Sequence, residues 1–167
     1  MRIIPLTPEN ASAASRIYAL SWKSGYRGLV PQDYLDALTE ESWANTLLVP
    51  GRSGFLLEDG GVYVATASVS AARDTERPGW GEIISLYVLP TYWGRGYGQY
   101  LFAHAAACLR AQGFRNLYLW VLEGNARARA FYARSGFIPD GDRMTMHIGG
   151  RALSGVRYVC TASRPRF

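Results

Sequence analysis

Between Gly81 and Gln99 the chain reads GEIISLYVLPTYWGRGYGQ, and no other stretch constrains the fold as strongly. Glu82 to Val88 is nearly all apolar, as expected of a strand covered on both faces. Pro90 breaks it, and Gly94, Gly96 and Gly98 then open a long amphipathic segment. A strand therefore feeds a helix through a loop whose main chain lies bare. Glycine has no Cβ to hold another molecule away, and the first N–H groups of a helix lack intrahelical partners. Those donors, with the positive end of the helix dipole behind them, form a seat for phosphate. The plain alternative is a tight turn before a helix.

Spacing separates the phosphate loops that compete for this reading. The position three after Gly96 is Gln99, which fails the dinucleotide pattern G-x-G-x-x-G, and no Gly-Lys pair followed by Ser or Thr exists to make a P-loop. Downstream, Leu101, Phe102, Ala105, Ala106, Cys108 and Leu109 recur at helical spacing, so one face of a helix from Gly96 to Gln112 packs on a sheet. Gly113 ends it, and Asn116 to Leu122 is the next buried strand. Strand, helix and strand of this length form a right-handed crossover with parallel strands. Asn125 is placed to cap a further helix to about Ser135, Gly136 ends that helix, and Phe137 opens another strand.

Upstream, Arg2 to Leu6 reads as a short extended opening. Thr7-Pro8-Glu9 supplies an N-cap, a first-turn proline and an acid for a helix to about Ala19. Gly25, Gly28 and Pro31 then interrupt an amphipathic run carrying Trp22, Tyr26 and Tyr34, which forms either a wall of a substrate pocket or core plugs over the sheet. Thr39 or Ser42 is expected to start a short helix ending near Pro50-Gly51. Strands at Gly54 to Glu58 and Val62 to Ser70 flank a hairpin turn at Asp59-Gly60-Gly61. The charged loop Arg73 to Gly79 leads into the strand that carries Glu82. Met144 to Ile148 and Arg157 to Thr161 read as a closing hairpin around Gly149-Gly150. The expected fold is α/β (α+β): a mixed central sheet of six to seven strands with helices on both faces.

The Gly loop resembles the pyrophosphate loop of the GNAT superfamily of N-acetyltransferases, [RQ]-x-x-G-x-[GA], with Gly96 and Gly98 at its glycines and Trp93 where the family usually has Gln or Arg. The family's N-x-x-A-x-x-x-Y-x-x-x-G-F is matched throughout by Asn125, Ala128, Tyr132, Gly136 and Phe137. With the E-I-x-x-L-Y-V strand, the resemblance spans Glu82 to Phe137 and implies a single GNAT-like domain over residues 1–167. It implies acetyl-CoA as cosubstrate, its diphosphate on the amides of Trp93, Gly94, Arg95, Gly96, Tyr97, Gly98 and Gln99, with Asn125 nearby. It implies too that two parallel strands splay apart after Tyr87 and Val88, whose main chain pairs with the pantetheine arm. Arg95 and Arg129 are candidates to add charge, or else solvated surface groups.

The implied reaction moves an acetyl group to a primary amine in a ternary complex. An alkylamine with pKa about 10.4 is almost wholly protonated at neutral pH, so a base is needed. Glu82 stands at the position of the catalytic carboxylate in those family members that use one. On the residues alone it is either a structural anion held by a nearby Arg and backbone donors, or a group of raised pKa acting as base. Tyr132 matches the family's general acid for the departing thiolate; packing and a hydrogen bond to the sulfur is its lesser role. Trp22 and Tyr26 are the candidates for the acceptor side, where a small amine or a peptide amine is expected. The alternative from another class is a catalytically silent CoA-binding sensor.

The chain has 167 residues, enough for one well-buried core. Its formal charge of +5 is scattered, with Lys23 the only lysine, and no basic stripe suggests nucleic acid. Cys108, Cys160, His104 and His147 have no partners at ligand spacing, so no metal is expected. The absence of a leader or an apolar run of 18 or more residues favours a cytoplasmic protein away from membranes. A homodimer is common in the resembled family.

Overall fold

The computed structural model describes residues 1–162. In order, its elements are β1 (Arg2–Pro5), α1 (Ala11–Gly25), α2 (Gln32–Ala37), β2 (Arg52–Asp59), β3 (Val62–Ala71), β4 (Gly81–Val88), a 3-10 turn (Pro90–Tyr92), α3 (Tyr97–Ala111), β5 (Leu117–Leu122), α4 (Ala126–Arg134), β6 (Ile138–Ile148) and β7 (Arg151–Cys160). The seven strands form one sheet in the order β1-β2-β3-β4-β5-β7-β6, within the expected range. Only β4 and β5 pair in parallel, joined through α3.

One face of the sheet packs on α3. Leu101, Phe102, Ala105 and Leu109 meet Val69, Ile83, Leu117 and Leu119 there, with Ala128, Phe131 and Tyr132 of α4 alongside. On the other face Ala14, Ile17 and Tyr18 of α1 pack with Leu56 and Leu89, and Leu35 of α2 belongs to a neighbouring cluster. Helices thus cover both faces, as the fold class requires.

Three local expectations are corrected. The first helix starts at Ala11, because the Asn10 side chain closes the preceding turn by accepting from Thr7 N at 2.8 Å and donating to Pro5 O at 3.0 Å. It runs on to Gly25 since its buried face continues through Tyr18 and Ser21. No helix forms over 39–50. Thr39 N donates to Ser42 Oγ at 2.9 Å and Trp43 N to Ser15 Oγ at 3.0 Å, and such side-chain acceptors compete with the helical ladder. The closing hairpin does turn at Gly149-Gly150, but both strands are longer than expected. In this longer pairing Gly155 lies opposite Met144 and leaves room for the Met146 methyl, which a Cβ there would meet at 2.7 Å.

The opening that matters for function lies between β4 and β5. Their parallel register holds only for Gly81↔Leu117 and Glu82↔Tyr118. The splay thus begins after Glu82, earlier than the expected point after Tyr87 and Val88. Just there β4 carries one extra residue, Ile84, against β3, since Val69 pairs Ile83 while Ser68 pairs Ser85. A bulge re-aims the side chains that follow it. Ile83, Leu86 and Val88 all join the α3 core, whereas Ser85 and Tyr87 turn to Tyr18 of α1.

Candidate active site

At the end of β4 the loop takes the shape that its glycines permit. Gly94 (φ 76°) and Gly96 (φ 85°) are left-handed, a conformation that side chains disfavour, and nothing lies within 4 Å of where their Cβ atoms would be. Gly98 differs: it is helical, and a Cβ there would sit 3.5 Å from Phe131 and Val88, an ordinary contact. The first intrahelical donor is Tyr100 N, which reaches Gly96 O at 3.0 Å. The N–H groups of Tyr97, Gly98 and Gln99 precede it and have no carbonyl four residues back within the helix. They border a cavity of about 490 Å³ closed on its far side by Ala128, Phe131 and Tyr132 of α4. Trp93, Gly94 and Gly96 line it too.

A second cavity, about 540 Å³, fills the splay between β4 and β5. Glu82 lies at its floor, with 3% of its side chain exposed, in an ion pair with Arg73. Arg73 Nη2 donates to Oε1 at 2.6 Å; Arg73 Nε and the Tyr118 hydroxyl each donate to Oε2 at 2.9 Å, and Arg73 N does so at 3.2 Å. Burial by itself would raise the Glu82 pKa, but the hydrogen bonds and charge of Arg73, helped by Tyr118, outweigh it and hold the carboxyl below its ordinary value of 4.5. The raised pKa expected of Glu82 as a base is not found: Arg73 holds the carboxylate as an anion, the form that can accept a proton. Since an ionised carboxylate accepts about four hydrogen bonds, Oε1 keeps capacity while Oε2 is filled. Burial first, then Glu82, pushes the Tyr118 phenol up to about 12.

The floor is braced from behind. Arg157, 2% exposed on β7, donates to Asp74 Oδ2 at 3.1 Å, to Asp140 Oδ2 at 2.8 Å and to Asp142, with Arg77 adding to the last two. Asp140 and Asp142 sit in a bulge of β6, between Pro139 and Arg143. Asp74 N in turn donates to the Tyr118 hydroxyl at 3.3 Å, so the loop carrying Arg73 is tied to β5, β6 and β7.

The two cavities share a wall of Leu86, Val88, Trp93, Arg127, Ala128 and Tyr132. Burial raises the Tyr132 pKa well above that of a free phenol, with Tyr26 adding to the shift, so the group stays protonated across the neutral range. Trp22 and Tyr26 line the larger cavity with their rings 4.6 Å apart, edge to face. Tyr87 lines it as well, its ring 4.5 Å from that of Tyr18.

Several expected positions have other surroundings. The Val88 carbonyl, offered above to the pantetheine arm, already accepts from Trp93 Nε1 at 2.7 Å and Ser21 Oγ at 3.0 Å. Arg95 stacks over Tyr92 at 5.3 Å, and Arg129 donates to Glu123 O at 3.0 Å and Tyr158 Oη at 3.2 Å; neither lines either cavity. Asn125 caps α4 by accepting from Ala128 N at 3.1 Å and faces the larger cavity. The nearby Arg expected beside Glu82 is Arg73. Sequence reasoning missed Tyr118 and Arg127. Nothing in their spacing signals the contacts they make.

A family model, Acetyltransferase (GNAT) family, matches residues 14–137. The chain belongs to the GNAT family and is an acetyltransferase. It is 28% identical over 123 residues to the uncharacterized N-acetyltransferase YuaI of Bacillus subtilis, covering 70% of this chain and 69% of that protein. A shorter match, 49% over 59 residues, joins it to the mycothiol acetyltransferase of Beutenbergia cavernae, covering 35% of this chain and 20% of that one. In fold it resembles a GCN5-related N-acetyltransferase from Rhodopseudomonas palustris (TM-score 0.76, 21% identity, 96% of this chain and 94% of that one). It also resembles the PaiA N-acetyltransferase from Thermoplasma acidophilum, solved with coenzyme A (TM-score 0.68, 18% identity, 93% and 98%).

Proposed function

We propose that the chain moves an acetyl group from acetyl-CoA to a primary amine by direct attack within a ternary complex. The observation that carries this reading is the shared wall: a cavity bordered by glycine-loop amides and one floored by a carboxylate meet at Tyr132. The diphosphate sits on the amides of Tyr97, Gly98 and Gln99 at the positive end of α3, and the thioester reaches past Val88 to the junction. Trp93 takes no part in binding phosphate through a charge; its indole instead fixes the Val88 carbonyl.

The amine attacks only after losing a proton. Glu82 draws that proton through a water on Oε1, because its other oxygen is already engaged. The N–C bond forms, the C–S bond breaks, the Tyr132 phenol gives its proton to the departing thiolate, and the second proton shed by the nitrogen restores the phenol. Neither cysteine is needed, since no covalent acyl-enzyme intervenes: among the described residues Cys108 and Cys160 lie outside both cavities. Calorimetry with CoA and a thiol-release assay against an amine library test the proposal. Binding of CoA and amine-dependent thiol release are expected. CoA binding with no turnover on any amine would favour the silent sensor, and no CoA binding by the folded protein would refute both.

A further inference from the structure

The larger cavity has an unusual balance of charge. Its two acids, Glu82 and Asp74, are neutralised within the protein by Arg73 and Arg157. An acceptor carrying several ammonium groups needs unpaired carboxylates to offset their desolvation, and none lines this space. The unmatched charge is positive. Arg127 stacks on Trp93 at 3.4 Å and, among the described residues, pairs with no carboxylate. It is exposed, and with Tyr132 it belongs to the wall where the two cavities meet. Beside that wall and the floor of Glu82, Arg73 and Tyr118, one side of the space is apolar, bounded by Trp22, Trp120, Met144, Met146 and Ile148. Its volume of about 540 Å³ suits a small molecule rather than a bare amine.

Building on the acetyl-transfer reading, we infer that the acceptor is a free α-amino acid with a bulky apolar side chain, whose carboxylate pairs with Arg127. In such a molecule the nucleophile and the anion hang from one carbon, which matches a wall where Tyr132 and Arg127 occur together. The side chain then extends toward Trp22 and Met146. The ammonium gives one proton to Glu82 through water, the nitrogen forms the new N–C bond as the thioester C–S bond breaks, and its second proton replaces the one that Tyr132 gives to the thiolate. The products are an N-acetylamino acid and CoA.

The test compares phenylalanine with 2-phenylethylamine, phenylalanine amide and spermidine, using purified protein and acetyl-CoA. Phenylalanine is expected to exceed each of the others in kcat/KM by about tenfold or more, the range of a charge-assisted pair. Arg127→Gln should remove that preference chiefly through the KM for phenylalanine, and Arg127→Lys should restore part of it. Equal use of the amide or of phenylethylamine, or faster use of spermidine, overturns the inference and leaves acetyl transfer standing. A rise in KM for acetyl-CoA in Arg127→Gln, with the preference for phenylalanine unchanged, assigns the guanidinium to the cofactor and also overturns it. No turnover and no CoA binding overturns both readings.

Discussion

The two cavities on either side of Tyr132 are made of different material. The one beside α3 has a main-chain side, left-handed glycines and the leading amides of a helix within one short run of sequence, which α4 side chains close off. The one between β4 and β5 is built from side chains that arrive from α1, the loop before β4, β5, α4 and β6. The first depends on backbone conformation and has few ways to vary. The second varies with each element that lines it, so in the proposed reaction the acceptor can change while the acyl carrier stays the same.

The substitution with the largest expected effect falls on the wall common to both. Tyr132→Phe removes the proposed proton donor while keeping the ring that packs near Phe102 and Phe131, so kcat should drop by about a hundredfold with little change in the KM for acetyl-CoA. Steady-state kinetics checks this, and an unchanged kcat would leave the tyrosine a packing role.

On the main-chain side, Gly96→Val forces a branched residue to φ 85° and should weaken CoA binding by about tenfold to a hundredfold by calorimetry. Gly98→Ala adds a methyl at ordinary contact distance and should stay within about threefold. Equal losses at the two glycines would mean that room, not conformation, governs the seat.

On the side-chain side, Glu82→Gln should lower kcat/KM for the amine by about tenfold and leave CoA affinity unchanged. The same pair sets an acid limit. The folded-state pKa of Glu82 lies below its ordinary 4.5, so its stabilisation is complete above that value and is lost as pH falls through the lower one. The melting-temperature gap between wild type and Glu82→Gln should therefore hold from pH 8 to about 5 and narrow below about 4.5. A gap that widens with acid would reverse the sign. The smallest effect is expected at Asn125→Ala, which removes the α4 cap and should cost about 1 kcal/mol by chemical denaturation.

How much of this was legible follows the same division. The glycine loop, the Asn125 cap and the strand–helix–strand crossover could be read from residue types alone, because each states a local backbone requirement that few other residues meet. Glu82 stood out as the one charge in an apolar strand, yet its state could not be read. Its partner Arg73 lies on a loop whose path is decided by Arg157, and Arg157 contacts Asp74 across 83 positions of sequence. The bulge at Ile84 was equally hidden, since EIISLYV alternates no differently with an extra residue than without one. The turns over 39–50 show the converse: a pattern compatible with a helix gave way once Ser15 captured Trp43.

The brace around Arg157 also sets an order of assembly. Each residue that borders the glycine-loop cavity is at or before Arg134, whereas the guanidinium that fixes the opposite cavity belongs to the last strand. During synthesis the residues of the glycine-loop cavity are complete in sequence before the cavity between β4 and β5 can be locked. A chain cut short before Arg157 would lack the pin that holds the Glu82 floor in shape.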